Sequence, residues 1–352
     1  MTTWAPDVLG DDYEQLTIPL GPDPDGEGQV RATLVRSRRS RRSPSAPRGA
    51  VLYVHGFTDY FFQRHLAEHF VDRGYAFYAL DLRKCGRSLD DGQSPHFVSD
   101  LELYDAELSR ALDIVREETG APVLLAAHST GGLIVPLWLD RLEHTGGSAA
   151  AGVSGLVLNS PWFDLQGPPL ARSVGTVALG VLGKLAPKRD LPGAGLDTYG
   201  SSISAQAQGD WSYDLSWKPL AGFPIKLGWI RAVRRGHARL HRGLDIGVPS
   251  LILRSKVTRF SKKYIPDVDA ADAVLDVRQI ARWAGCLGNR TTVVPVEGAR
   301  HDVFLSTDEP LAQAFRELDA WLDDHEARAA GTTGDRAGAA TGGDHAEMAT
   351  GA

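Results

Sequence analysis

The sequence predicts an open, mostly parallel α/β sheet with helices on both faces. Three observations carry this expectation. From residue 49 onward, short apolar runs alternate with stretches that repeat apolar residues at helical spacing. The runs are apolar at nearly every position, as in strands buried on both faces. The alternation breaks once, over residues 161–247, and then resumes.

The elements follow in order. "YEQLTIPL" and "GQVRATLVRS" read as two strands joined by the turn-rich "GPDPDGE". "RSRRSRRSPSAPR", residues 36–48, is basic and rich in Ser and Pro, and reads as a solvated loop rather than an anionic-surface contact. "GAVLYVH" is a buried strand, followed by a helix with Phe62, Leu66 and Phe70 and a Gly74 stop. "YAFYALD" is the next strand. Ser99 and Glu102 form a capping box that opens a helix with Leu101, Tyr104, Leu108, Leu112 and Val115 on one face. "PVLLAAH" (strand), "TGGLIVPLWLDRL" (helix, with Pro136 inside) and "GVSGLVLN" (strand) complete the first part. After the break come "VPSLILRS", "DVRQIARWAG", "RTTVVPVEG" and "LAQAFRELDAWLDDH", as strand, helix, strand and helix. The expected organisation is a core over residues 1–160, an inserted cap over 161–247, a second core part over 248–327, and a disordered tail over 328–352.

Composition narrows the function. Of 352 residues, 43% are hydrophobic and 23% charged, ordinary values for a globular chain. A net charge of -6 argues against a nucleic-acid binder. Cys85 and Cys286 make no disulfide framework and fit a reducing, cytoplasmic setting. The start has neither a basic region nor an apolar run, so no signal peptide is expected. No stretch reaches the roughly 20 apolar residues of a membrane span. No His/Cys/Asp cluster has metal-ligand spacing, so neither metal nor cofactor is expected.

The chemistry sits where strands end. Ser129 follows "VLLAA" and precedes a helix, in Ala127-His128-Ser129-Thr130-Gly131. This matches the sharp nucleophile turn G-x-S-x-G with alanine in place of the first glycine. A serine hydroxyl needs a base, and His301 follows the last strand in "EGARHDVFLS". His128 is adjacent to Ser129 and should point away from it. The imidazole needs an acid to orient it. "PDVDAADAVLDV" offers Asp267, Asp269, Asp272 and Asp276. Asp276 with Gln279 reads as a helix cap. Asp272 is preferred over Asp267 and Asp269, because Val274 and Leu275 could anchor it. Two backbone N–H groups for an oxyanion would come from Thr130 and from Phe57 in "VHGFTDY", with Gly56 allowing close approach and His55 tethering the loop.

Together "YVHGFTDYF", "ALDLRKCGRS", "AAHSTGG", "ADAVLD" and "GARHD" resemble the serine α/β-hydrolases, and are most similar to the monoacylglycerol lipase, lysophospholipase and serine aminopeptidase-like group. The resemblance covers about residues 10–325. It implies the α/β-hydrolase fold, a Ser129-Asp272-His301 triad and a cap inserted where residues 161–247 fall. One departure stands out: residues 256–271 separate the strand end from Asp272, where the family places its acid within a few residues. Cys85, in the loop "DLRKCGRS", reads as packing.

The leading expectation is a cofactor-free carboxylic ester hydrolase acting on a small-molecule acyl ester. Trp211, Tyr213, Trp217, Phe223 and Trp229 would either line an acyl pocket or hold the cap together. An aminopeptidase would need an acidic residue for a substrate ammonium, with Asp190, Asp197, Asp210 and Asp214 available. A ligand-binding protein on an idle hydrolase scaffold is the non-enzymatic alternative. An epoxide hydrolase or dehalogenase would carry Asp at position 129. "ARSVGTVALGVLGKLAP", residues 171–187, is apolar almost all round, and reads as a helix buried between cap and core or as a lid making peripheral lipid contact. The sequence does not give the oligomeric state.

Overall fold

The computed structural model describes residues 3–42, 46–166, 180–192 and 195–341. Its centre is a nine-stranded sheet in the order β1-β2-β3-β5-β4-β6-β7-β8-β9. The first three strands, β1 (Ala5–Pro6), β2 (Tyr13–Pro22) and β3 (Gln29–Ser37), form an antiparallel meander at one edge. After the helical turn α1 (Arg39–Arg42) the chain enters the parallel part. This consists of β4 (Gly49–Val54), β5 (Tyr75–Asp81), β6 (Val123–His128), β7 (Val153–Asn159), β8 (Ser250–Ser255) and β9 (Thr291–Val296).

Side chains of the central strands divide between two cores by simple alternation. In β4, Ala50, Leu52 and Val54 face one cluster, and Val51 and Tyr53 the other. The first core is covered by α3 (Asp105–Thr119), α4 (Gly131–Glu143) and α6 (Leu227–Leu240), through Leu108, Leu112, Leu133, Leu137, Trp229 and Val233. The second is covered by α2 (Arg64–Asp72) and α8 (Asp308–Thr341), through Leu66, Phe70, Leu318 and Leu322. Two-sided burial explains why these strands read as unbroken apolar runs. Pro136 lies within α4 without ending it.

Between β7 and β8 the described residues add no strand to the sheet. They form a helical stretch over residues 180–185, α5 (Asp197–Ile203), α6 and connecting loops. A Cβ at Gly236 of α6 would meet Leu101, Leu133 and Leu137, so its absence lets α6 approach α4 closely. This excursion is therefore packed into the first core as well as lying over the strand ends. A last short helix, α7 (Val277–Trp283), precedes β9.

Two expectations change. The helix opened by Ser99 and Glu102 begins instead with a 3-10 turn at Leu101–Tyr104, capped by Asp100, whose side chain accepts from the Glu102 N–H. Ser99 instead donates its backbone N–H to Asp25 at 2.9 Å. The expected disordered tail from Arg328 is helical as far as Thr341. Extending an existing helix avoids the nucleation cost, and the three alanines and the arginine of "EARAA" favour it. Residues 342–352 lie outside the described residues.

The basic loop is largely neutralised. Arg38 pairs with Glu14, Arg39 with Asp72, Arg41 with Glu118 and Arg48 with Glu326. Among the described residues no helix is long and apolar enough to cross a membrane.

The loop "DLRKCGRS" after β5 is pinned by a buried ion pair. Arg83 donates through Nε and Nη2 to the Glu107 carboxylate of α3 at 2.5 to 3.2 Å. Glu107 is fully buried, so removing it would leave a guanidinium without compensation. Glu107→Ala should lower unfolding stability by about 3–5 kcal/mol in a denaturant titration. A loss under ~1 kcal/mol would mean that water reaches Arg83.

Candidate active site

β6 ends at His128, and the chain turns sharply into α4. Ser129 sits at the turn with φ 52°, a left-handed conformation that costs a non-glycine residue about 1–3 kcal/mol. Three backbone hydrogen bonds hold it there. The Ser129 N–H donates to Asn159 O, and the Trp162 and Gly132 N–H groups donate to Ser129 O, each at 3.0 Å. The small neighbours are steric requirements. A Cβ on Gly131 would stand 2.4 Å from His55 O, and one on Gly56 would stand 2.9 Å from the Ser129 Cβ. Ala127, the departure from the glycine pattern, lies within β6 and is buried without disturbing the turn.

The structure brings Ser129, His301 and Asp272 together. His301 Nε2 lies 3.0 Å from Ser129 Oγ, and His301 Nδ1 lies 2.9 Å from Asp272 Oδ2. A carboxylate can only accept, so Nδ1 carries the ring proton and Nε2 accepts from the serine hydroxyl. All three are buried. The second oxygen of Asp272 accepts the N–H groups of Val274 and Leu275 at 2.8 and 2.7 Å, the two residues expected to anchor it. The other acids of that stretch are engaged elsewhere. Asp267 is exposed and pairs with Arg259, Asp269 pairs with Arg300, and Asp276 caps α7.

His128 is turned to other work. Its Nδ1 lies 3.2 Å from Asn159 O, and burial lowers its pKa, so it is held neutral beside His301. His55 ties the β4 loop down: Nδ1 donates to Gly56 O at 2.7 Å, and Nε2 accepts from the Leu82 N–H at 3.1 Å. Phe57 and Thr130 both line the cavity in front of Ser129. Phe57 packs its ring on Trp229, with centroids 4.3 Å apart.

The cavity holds about 480 Å³, within the usual ~300–1,000 Å³ of small-molecule sites. Ser129, His128 and His301 form its floor. Leu196, Tyr199, Phe223 and Ile225 from the β7–β8 excursion, with Val274 and Leu275, give it apolar walls. Of the five aromatic residues considered for an acyl pocket, only Phe223 lines it. Trp211 donates to Leu305 O and stacks on His65, Tyr213 lies against Phe62, Trp217 against Tyr60, and Trp229 is buried in the core. These four attach the excursion to the sheet.

Several residues at the site carry no sequence signal of their own. Asn159, at the end of β7, donates its amide to Asp302 Oδ1 at 2.5 Å and accepts the Val303 N–H at 3.0 Å, which fixes the segment after His301. Tyr199 sets its ring edge-on to His301, with centroids 5.4 Å apart, and its buried hydroxyl has no partner among the described residues. Lys218 enters the cavity wall as a buried cation and donates to Asp59 at 2.8 Å. Burial works against the Asp59 carboxylate, but the Lys218 ammonium outweighs it and holds the pKa below its ordinary value. The only cue in sequence for these residues is a polar side chain at a strand end or beside a turn.

Cys85 is buried 3.1 Å from His96 Nδ1, and burial pushes its thiol pKa well up. It is therefore a packed thiol. Among the described residues no group of three or more His, Cys, Asp or Glu side chains could hold a metal ion. Residues 180–185 are helical and expose Val181, Leu182 and Leu185. The expectation of a buried helix therefore fails for this part, and residues 171–179 of that apolar stretch lie outside the described residues.

The chain is similar in structure to a soluble variant of monoglyceride lipase from Saccharomyces cerevisiae bound to a substrate analogue. The TM-score is 0.61 at 19% identity, covering 92% of this chain and 95% of that one. It is also similar to the monoacylglycerol lipase of Paleococcus ferrophilus, with TM-score 0.56, 22% identity, and 80% and 96% coverage. A thermostable carboxyl esterase from Bacillus coagulans in complex with glycerol gives TM-score 0.55 at 14% identity, with 90% and 100% coverage. At these identities the likeness is one of fold. No curated relative matches the chain by sequence. The profile of the family described as serine aminopeptidase, S33, matches residues 45–264, more than half the chain and including the turn at Ser129. The chain belongs to the serine aminopeptidase S33 family and has the α/β-hydrolase fold.

Proposed function

We propose that this protein is a carboxylic ester hydrolase that works through an acyl-enzyme. One observation carries the reading: the Ser129–His301–Asp272 chain of hydrogen bonds, at 3.0 and 2.9 Å, opens into a cavity whose walls include the apolar side chains of Leu196, Phe223, Ile225, Val274 and Leu275. Ser129 Oγ attacks the ester carbonyl while His301 Nε2 takes its proton. Asp272 keeps the imidazole in the reactive tautomer and stabilises the imidazolium. The developing oxyanion is met by the N–H groups of Phe57 and Thr130. His301 then protonates the leaving alcohol, water repeats the attack with His301 as base, and the acid departs.

Buried charge favours an ester over an aminoacyl substrate. An aminopeptidase must hold an α-ammonium with an available carboxylate. Of Asp190, Asp197, Asp210 and Asp214, only Asp197 borders the cavity, and it is exposed. The buried charged side chain in the wall, Lys218, is itself a cation. It is paired with Asp59, so that buried carboxylate is already engaged and does not await a substrate ammonium.

Ser129→Ala should abolish reaction with a fluorophosphonate probe and lower kcat by ~10⁴ or more, with the thermal midpoint within a few degrees of the parent. Asp272→Asn should lower kcat by about 10³–10⁴. Labelling that persists in Ser129→Ala would overturn the nucleophile, and hydrolysis of aminoacyl amides in preference to acyl esters would overturn the substrate class.

The exposed apolar side chains of residues 180–185 support delivery of the ester from a lipid aggregate. Leu182→Asp combined with Leu185→Asp should reduce hydrolysis of a micellar monoacyl ester by about tenfold. Turnover of a short soluble ester should stay at the parent rate. Equal turnover of both substrates by the variant and the parent would exclude lipid contact through this helix.

A further inference from the structure

Residues 256–271, which separate β8 from Asp272, form an excursion whose two ends meet. The Arg259 N–H donates to Asp272 O at 2.9 Å, and the Asp272 N–H donates to Val257 O at 3.0 Å. Within it, the 3-10 turn Pro266–Ala270 carries Asp269. One Asp269 oxygen accepts from Arg300 Nη2 at 3.1 Å, and the other accepts from the Tyr264 hydroxyl at 2.6 Å.

Arg300 immediately precedes His301 and is buried. Its Nη1 donates to Leu305 O at 3.0 Å, and its own N–H donates to the Ser306 hydroxyl at 2.9 Å. The guanidinium therefore clasps the loop of residues 300–306, on which His301 sits. A buried guanidinium next to His301 also has an electrical consequence. It opposes the positive charge that the imidazole gains on taking the serine proton. Asp269 supplies the opposite charge and holds the guanidinium in its clasp.

We propose that Asp269 is a positioning residue for the reaction: acting through Arg300, it fixes the loop that carries His301 and neutralises the cation beside it. The inserted segment would then serve the base twice, with Asp272 touching the imidazole and Asp269 securing its mount. This rests on the ester-hydrolase reading for its kinetic test, but not for its labelling test.

Asp269→Asn keeps the shape and removes the charge. The full-length variant is titrated with a fluorophosphonate probe, so that rates are expressed per reactive site and unfolded protein drops out. Both kcat per titrated site on a soluble ester and the rate constant of labelling should fall by about tenfold or more, with KM within about twofold, as expected when a base is displaced without loss of substrate contacts. Asp269→Glu should recover part of the loss. Tyr264→Phe, which keeps the carboxylate and removes one of its donors, should show a smaller fall in the same two rates, and it preserves the test if Asp269→Asn does not fold. The proposal is overturned if the variants lower only the number of titrated sites while both rates per site stay at the parent value, because Asp269 would then contribute stability alone. A loss carried entirely by KM would also overturn it. If the parent labels at Ser129 but hydrolyses no ester, the substrate reading fails and the labelling rates still decide the role of Asp269.

Discussion

The left-handed backbone at Ser129 is the constraint on which the rest of the site depends. A serine does not hold φ 52° by preference. It is held because β7, the chain just after β7, and α4 each contribute one hydrogen bond to its peptide groups. Space for the turn exists only because Gly56 and Gly131 lack side chains where β4 and β6 lie side by side. The strand order β4-β6-β7 is thus a precondition for the turn at Ser129, since β6 must lie between the two strands whose ends shape it. Strain at one residue is sustained by the packing of the whole parallel sheet.

The same logic decides what is legible in the sequence. The strands β4, β5 and β6 are legible because burial on both faces leaves no polar position to interrupt them. Ser129 and His301 are legible because sites gather at strand ends, and Asp272 because two apolar residues follow it. The choice between Ser99 and Asp100 as cap turns on which side chain reaches one N–H, a matter of a fraction of an ångström that no pattern encodes. The aromatic residues of the excursion are visible in sequence, but their partners are not. Trp211 meets His65 and Leu305, each far away along the chain, and only the folded arrangement tells a structural aromatic from a pocket wall. Asn159, Asp302 and Gln63 form a buried polar network beneath His301 across similar separations. The helix beyond Arg328 escapes notice for a different reason: composition reports the absence of a core-facing stripe, not whether a helix already under way will stop.

The alternation of strands and helices breaks in two places, between β7 and β8 and again before Asp272, and both breaks converge on the cavity. Gly195, Leu196, Tyr199, Lys218 and Phe223 come from the first, and Phe260, Ser261 and Lys262 from the second. The Thr198 hydroxyl donates to Ser261 O at 2.8 Å, joining the two insertions over the strand ends. A parallel sheet tolerates added chain at its carboxyl edge because loops there leave the strand register untouched. Under the proposed function, selectivity would lie in the segments least bound by the fold, and the chemistry with residues at the strand ends. The family profile ends at residue 264, inside the second insertion, and the acid and the base lie beyond it.

Charge around the base completes the argument. Lys218 and Arg300 are buried cations, the first in the cavity wall with His301 and the second its neighbour in the chain, and each is matched by a carboxylate, Asp59 and Asp269. Two further buried carboxylates belong to Asp272, which touches the imidazole, and to Asp302, the next residue in the chain. Asp272 receives two backbone N–H groups besides His301, and Asp302 is held by the Asn159 and Gln63 amides and the Phe304 N–H. Among the described residues neither has a lysine or arginine partner. The two cations are therefore paired, whereas Asp272 and Asp302 are held by neutral donors. In the proposed mechanism their field would be available to the positive charge gained by His301 as Ser129 attacks. Pairing each buried cation and leaving these two carboxylates to neutral donors suits the proposed reaction, in which His301 becomes charged for a moment and then returns to neutrality.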